Sequence, residues 1–351
     1  MRPARAPTHF YQLPVKHIIG AKSPAPNPGS AAAVQQLRVD EESAGQRLDN
    51  FLLRHLKGVP KTHVYRIIRS GEVRLNKGRA QADTRVQSGD EVRVPPVRLP
   101  SRPPEVAGAV PAREFPVLLE DEVLMAVDKP SGVAVHGGSG VSHGVIEQLR
   151  RARPQARLLE LVHRLDRETS GILLVAKRRS ALKHLQEQFR ERETGKTYLA
   201  LVQGDWPERL KVIDRPLHKF LLPASDGLEG ERRVRVTTAD DPDGMRAISL
   251  VQVAERLPGA TLLRVTIKTG RTHQIRVHLA SSGHPIAGDD KYGDFDWNRQ
   301  LHKQGLRRMF LHAWSLQFTH PVSGKRVDLT SPLPPDLEPH LERLRHATAP
   351  L

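Results

Sequence analysis

The amino-acid sequence predicts an α+β protein in two parts: a small module with helices ahead of strands, then a larger domain on a mixed, largely antiparallel sheet. Three observations carry this. Apolar residues recur at helical spacing in two short bursts early in the chain, and the stretch after Phe115 reads instead as strands and turns with occasional helices. Between them lies PPVRLPSRPPEVAGAVPA, a segment of linker composition. A length of 351 residues suits two domains, each with its own core.

In chain order, residues 1–36 carry no acidic group and many prolines, and a disordered basic tail is expected. The faint likeness to an organelle transit peptide is opposed by those prolines, which spoil an amphipathic helix. In residues 37–95, Leu48, Phe51, Leu52 and Leu56 predict one helix. Val64, Ile67 and Ile68 predict a second that stops at Gly71. Val73 and Leu75 alternate before the turn Asn76-Lys77-Gly78, and EVRV closes the module as a strand. Its cations, Lys61, Arg66, Arg69, Arg74 and Lys77, are either a solvated face or a row that follows a sugar–phosphate backbone. Residues 96–112 are the expected linker and 113–340 the larger domain. There VLMAVDKPSG, ILLVAK, YLALVQG and TLLRVTIKTG read as strands, and RTHQIRVHLA leads into a helix. Ser180 is the expected N-cap of a helix that presents Leu182, Leu185 and Phe189 on one face and ends near Gly195. Residues 341–351 are expected to be a tail.

Composition narrows the partners. Fifty-five Lys and Arg against 39 Asp and Glu leave a formal charge of +16 and a pI near 10.4, which favours a polyanion, nucleic acid first. Aromatics make up only 4 %, too few for a broad base-stacking platform. Without cysteine there is no disulfide framework and no thiolate metal site, so the cytoplasm is the expected compartment. No apolar run approaches the roughly 20 residues that cross a bilayer, and no membrane partner is expected.

Three stretches hold residues suited to chemistry. HRLDRETSG, residues 163–171, sets Asp166 between Arg164 and Arg167 just before ILLVA, hence in a turn at one end of a buried strand. Nearby positive charge favours the ionised carboxylate, which then serves as nucleophile, base or electrostatic stabiliser, or simply orders the loop by an ion pair. GRTHQIRVHLASSGHPIAGDDKYG places Arg271 and His273 after a glycine turn and Arg276 a helical turn further on. Arg276 suits a buried carboxylate partner, because arginine stays charged when desolvated and grips both oxygens. His273, His278 and His284 lack the spacing of a zinc site, and no metal is expected. Tyr198 opens an apolar strand, either as a core tyrosine or as a ring at a cleft.

These segments also carry a resemblance. RLDNFLLRHL, PKTHVYRIIRSGEVRLNKGR and SGDEVRVP resemble the S4 RNA-binding domain, an αL-type fold. DKPSG, LVHRLDRETSGILLVAK, GKTYLALVQG, GRTHQIRVHLASSGHPIAGDDKYG and FLHAWSLQFTHPVSGK, in that order, resemble the RluA-type pseudouridine synthases, and most closely the C-type members of the ribosomal large-subunit branch.

The resemblance implies that Asp166 is the catalytic aspartate that breaks the N1–C1′ bond of a uridine flipped out of RNA. It implies that Tyr198 packs on the target base and is a candidate base for the C5 proton, that Arg276 ion-pairs with Asp166, and that Arg164 fills the space left by the flipped nucleotide. Arg271 and His273 are taken as substrate-binding, together with Lys61, Arg66, Arg69, Arg74 and Lys77 of the S4 module. The implied substrate is 23S rRNA or a large-subunit precursor, at several uridines. The alternatives are the same chemistry at D-type rRNA sites or on tRNA, and a non-catalytic RNA-binding ribosome-assembly protein. Substrate and product are isomers, so no cofactor, metal or energy source is expected, and a monomer suffices. One departure concerns residues 221–246, expected to form a long polar loop that touches RNA. There Gly244-Met245-Arg246-Ala247-Ile248-Ser249 stands where the family often has Gly-Lys-x-x-x-Thr.

Overall fold

The computed structural model describes residues 34–41, 43–56, 59–97, 110–137, 143–222 and 231–347. The expected basic tail up to residue 33, the linker over 98–109 and the last four residues lie outside the described residues. The chain divides into two compact units at Pro103 and Pro104.

In the N-terminal unit, β1 (Gln35–Arg38) is followed by α1 (Leu48–His55), α2 (Lys61–Arg69), β2 (Arg74–Leu75) and β3 (Glu91–Val94). The three strands form an antiparallel sheet in the order β1-β3-β2. Leu48, Phe51, Leu52, Val64, Ile67 and Ile68, the residues at helical spacing, are buried against Val73, Val86, Val92 and Val94. Gly71 follows the end of α2 at φ +75°, a left-handed conformation that favours glycine. β1 begins inside the expected tail, because the backbone of Gln35 and Gln36 finds partners on β3 that composition alone does not reveal. Lys61, Arg66, Arg69 and Lys77 are exposed, and Arg74 is half-buried. Lys77 sits with Asn76 at positive φ at the tip of a tight turn closed by Leu75 and Gly78.

The C-terminal unit opens with β4 (Val117–Glu120), β5 (Leu124–Lys129), α3 (Val145–Ala152), β6 (Glu160–Leu161), β7 (Ser170–Ala176) and α4 (Arg179–Glu191). Then come β8 (Gly195–Gln203), β9 (Val212–Asp214), β10 (Leu217–Leu222), β11 (Glu231–Val236), β12 (Ile248–Leu257) and β13 (Ala260–Ile267). The unit closes with α5 (Gln274–Ser281), α6 (Phe295–Lys303), β14 (Leu311–Thr319), β15 (Arg326–Thr330) and α7 (Glu338–Arg345). The main sheet runs β4-β5-β7-β14-β8-β13-β12-β9, with β6 on β7 and β15 on β14. Every pairing in it is antiparallel except β7 with β14. β7 is buried along its whole length because both of its faces are covered. Leu173 and Val175 pack with Val145 and Leu149 of α3, whereas Ile172 and Leu174 pack with Leu182 and Leu185 of α4.

Three expectations need correction. Helix α4 starts after Arg178 with no side-chain cap, so Ser180 lies inside it; the helix ends at Arg192 in a left-handed conformation, and Gly195 opens β8. Part of the expected 221–246 loop is strand: β10 and β11 pair in a separate two-stranded sheet, and residues 223–230 lie outside the described residues. The expected C-terminal tail is helical as far as Arg345, since Leu337, Leu341 and Leu344 recur on one face and bury against Trp297 and Leu301. Among the described residues no helix is long and apolar enough to cross a membrane.

The parallel junction of β7 and β14 leaves no room at Gly171. Its φ is +109°, and a Cβ there would stand 2.3 Å from the carbonyl oxygen of Ala313. Gly171→Ala therefore adds backbone strain of about 1–3 kcal/mol to overpacking of about 1–3 kcal/mol. The expected outcome is a destabilisation of about 2–6 kcal/mol, read as a lower thermal midpoint of the full-length chain. An unchanged midpoint would contradict the close approach of these two strands.

Candidate active site

Asp166 lies in the turn that leads into β7, closed by the Thr169 amide donating to the Asp166 carbonyl at 3.1 Å. The turn is gripped from the DKPSG segment at the end of β5. Lys129 Nζ donates to the carbonyls of Pro130, Val133 and Arg167, the last at 3.0 Å, and Ser131 Oγ donates to the carbonyl of Glu168 at 2.7 Å. Burial pulls the Lys129 ammonium down to about 7, opposed by Glu168, and its three carbonyl acceptors match its three protons. On the far side, Arg308 donates to Ser170 Oγ at 2.7 Å, and the same hydroxyl bonds His312 Nδ1 of β14 at 2.9 Å.

The cation beside Asp166 is not one of its sequence neighbours. Arg167 turns away to Glu168 at 2.7 Å. Arg164 is exposed, and its guanidinium has no ion pair or hydrogen bond among the described residues. Arg276, on α5, brings Nη1 to 3.8 Å from Asp166 Oδ2. Its main partner is Asp289: Nε donates to Oδ2 at 2.7 Å and Nη2 to Oδ1 at 2.6 Å. Arg276 is 4 % exposed and Asp289 is fully buried. Burial works to raise the Asp289 carboxyl, but the two Arg276 bonds and the amides of Lys291 and Tyr292 outweigh it and hold it below its ordinary value. The Tyr292 ring lies 5.2 Å from the guanidinium carbon. Arg276 is thus a fixed cation that leaves one edge facing Asp166.

Tyr198, on β8 across from Val265, completes the constellation. It shares a pocket lining with Arg164, Asp166 and Arg276. Burial first, and then the Asp166 charge, raise the phenol above its ordinary value, so it holds its proton at neutral pH. Asp166 opens onto a cleft of about 550 Å³ that also takes in Arg164, Arg271 and His273. His273 sits at φ +52° ahead of α5 and bonds the Tyr292 hydroxyl through Nδ1 at 2.9 Å; burial lowers its imidazole, against the pull of Asp166. Arg271 donates to the Arg246 carbonyl at 3.2 Å. The five cations singled out in the N-terminal unit are described with that unit above.

His273, His278 and His284 do not converge on one point. His278 bonds Ser249 and the Arg215 carbonyl, and His284 bonds the Gln203 carbonyl. Among the described residues, metal-type donors gather only at His218, Asp241 and Asp243, a group that bonds internally and to Thr237.

The site residues missed from sequence are Asp289, Tyr292, Lys129 and Ser131. All four lie in the segments GDDKYG and DKPSG. Their signal was a carboxylate and a lysine inside otherwise glycine-rich or apolar turns, positions where a charge survives only if paired.

Residues 123–281 match the family model described as RNA pseudouridylate synthase, and residues 46–92 match the S4 domain. The chain is 51 % identical over 317 residues to ribosomal large subunit pseudouridine synthase C of Pasteurella multocida, covering 89 % of this chain and 94 % of that protein. It is 50 % identical over 321 residues to the protein of the same name from Escherichia coli K12, covering 90 % and 98 %. Among solved structures, human RNA pseudouridylate synthase domain containing 4 matches with a TM-score of 0.53 at 27 % identity, over 65 % of this chain and 92 % of that one.

Removing one partner of a buried ion pair strands the other. Asp289→Asn is expected to cost about 3–5 kcal/mol and to lower the thermal midpoint accordingly. The Asp289 carboxyl is depressed in the folded state, so its contribution is fully present above the unfolded value near 3.9 and is lost as pH falls through the lower folded value. Below the unfolded value near 3.9 the stabilities of the wild type and the Asp289→Asn variant should therefore converge as pH falls through the lower folded value; a gap that stayed constant down to about pH 2 would refute the pairing.

Proposed function

Because the chain belongs to the RNA pseudouridylate synthase family and carries an S4 domain, we propose that it isomerises specific uridines of 23S large-subunit ribosomal RNA to pseudouridine. The observation that carries this reading is the meeting of Asp166, Arg276 and Tyr198, from three separate elements, at one cationic cleft. A protein that only bound RNA would have no use for a carboxylate at the centre of its basic surface. The names of the two bacterial relatives favour the large subunit as target, in the free rRNA or in a precursor particle.

A stacked uridine is out of reach, so it is extruded at a cost of a few kcal/mol. Arg164, exposed and uncommitted at the cleft mouth, fills the vacated space and offsets part of that cost by cation–π and phosphate contacts. Asp166 then acts at the sugar, either attacking C1′ or assisting proton loss from C2′, and the N1–C1′ bond breaks. The uracil turns, C5 bonds to C1′ as Asp166 is released (or, on the glycal route, as the proton returns to C2′), a base takes the C5 proton, and N1 takes up a proton from solvent. Tyr198 packs against the base during this rotation. Burial and the nearby Asp166 charge keep the Tyr198 phenol protonated, so its contribution here is packing against the base. Atoms balance within the nucleotide, and no cofactor or metal enters. Lys61, Arg66, Arg69, Arg74 and Lys77 of the S4 domain contact backbone phosphates, and Arg271 and His273 line the target pocket. The enzyme works as a monomer in the cytoplasm.

Asp166→Asn keeps the shape of the side chain but removes its charge. Pseudouridine formation on a large-subunit rRNA transcript should fall by about 10³-fold or more, with RNA affinity within about twofold of wild type. Equal turnover by the variant would remove the catalytic assignment. A combined Arg66→Gln, Arg69→Gln and Lys77→Gln variant should flatten the slope of log K against log salt by about 0.7–0.9 for each cation lost. An unchanged slope would count against phosphate contacts by the S4 domain.

A further inference from the structure

Next to the Asp166 cleft, and sharing Arg164 and Arg271 with it, lies a second cleft of about 810 Å³ whose described lining contains no carboxylate. Lys196 is the residue there that needs an explanation. It stands two positions before Tyr198 on β8, so the two side chains share a face of the sheet about 7 Å apart. Lys196 is 9 % exposed, yet its ammonium has no hydrogen bond or ion pair among the described residues. Its Nζ lies 5.2 Å from the centre of the Phe189 ring, which is itself stacked on His163 at 4.7 Å.

A lysine buried to this degree is nearly always paired. A cation–π contact offsets only part of the cost of burying an unpaired ion. Besides Arg164, Arg271 and Arg190, the last of which pairs with Glu187 and Glu191, two further cations line the same cleft. Arg192 ends α4 at φ +64°, where a glycine would sit without strain, and Lys268 follows β13; both are exposed, and neither has a partner among the described residues. Burial, then repulsion from Arg192 and Lys268, holds the Lys196 ammonium below its ordinary value. Three mutually repelling cations with no anion of their own are a site completed by an anion from outside.

We propose that Lys196, Arg192 and Lys268 bind a backbone phosphate of the substrate RNA close to the target uridine, and so help select which nucleotides reach Asp166. This rests on the pseudouridine synthase reading, which supplies the anion: the cleft continues from Tyr198, a reach that a single sugar–phosphate unit spans. Lys196 grips the phosphate from the buried side, and Arg192 and Lys268 close on it from the rim.

The test uses the full-length protein and an unmodified large-subunit rRNA transcript, with Lys196→Met, Arg192→Gln and Lys268→Met made singly. Each should lower the slope of log K against log salt by about 0.7–0.9 and raise KM about five- to tenfold, with the loss in KM rather than in kcat. Lys196→Arg should restore most of the slope. Slopes and KM equal to wild type in all three variants would overturn the site. Should Lys196→Met fail to fold, the two exposed positions decide by the same criteria. If wild type makes pseudouridine while the variants bind unchanged, the phosphate site falls and the enzymatic reading stands. If the slopes drop but wild type makes no pseudouridine, the site stands and the enzymatic reading falls.

Discussion

The buried pair of Arg276 and Asp289 is the interaction on which the site depends. A guanidinium taken out of water is costly unless its donors are used, and the two short bonds to Asp289 use the Nε and Nη2 edge. That leaves Nη1 directed toward Asp166 at 3.8 Å, too long for a tight pair and close enough for electrostatic support. An arginine satisfied by a second carboxylate holds its position whatever Asp166 does. Asp166 is thereby left open to the cleft while staying within reach of a fixed positive charge.

Rigidity on the other side of Asp166 comes from backbone contacts. The turn that presents it is tied by Lys129 and Ser131 to the segment after β5, and the first residues of β7 are locked to β14 by a parallel junction that admits only glycine at position 171. β7 itself is covered on both faces. A loop carrying a carboxylate at the entry of a strand that cannot shift is preorganised, so little of the binding energy of the RNA is needed to place it.

The cations fall into two kinds. Lys61, Arg66, Arg69 and Lys77 of the N-terminal unit are exposed on a short helix and turn, and Arg74 is half-buried; under the proposed reading they act through counterion release. Those around Tyr198 differ, since Lys196 is buried and Arg164 exposed, each without an ion pair or hydrogen bond among the described residues. Under the proposed reading the first kind adds affinity with little dependence on geometry, whereas a buried cation calls for an anion at a defined point and so bears on register.

The elements themselves were legible in the sequence because their signals are local. Helical spacing from Leu48 to Ile68, the apolar run ILLVA and the glycine after α2 each reflect contacts within a few residues, and HRLDRETSG and GRTHQIR name their chemistry in contiguous letters. The misreadings were also local: Ser180 looked like a cap, residues 341–345 looked like a tail, and Arg164 and Arg167 looked like the partners of Asp166. Tertiary structure decided what neighbours in the chain could not. It brought Arg276, already marked in the sequence as a carboxylate partner, to 3.8 Å from Asp166, tied it chiefly to Asp289, passed the Lys129 ammonium to the Arg167 carbonyl and left Lys196 without a partner among the described residues. The physical reason is that the cost of a charge depends on how much water it loses and which opposite charge lies within a few ångströms, and both follow from how distant segments fold together.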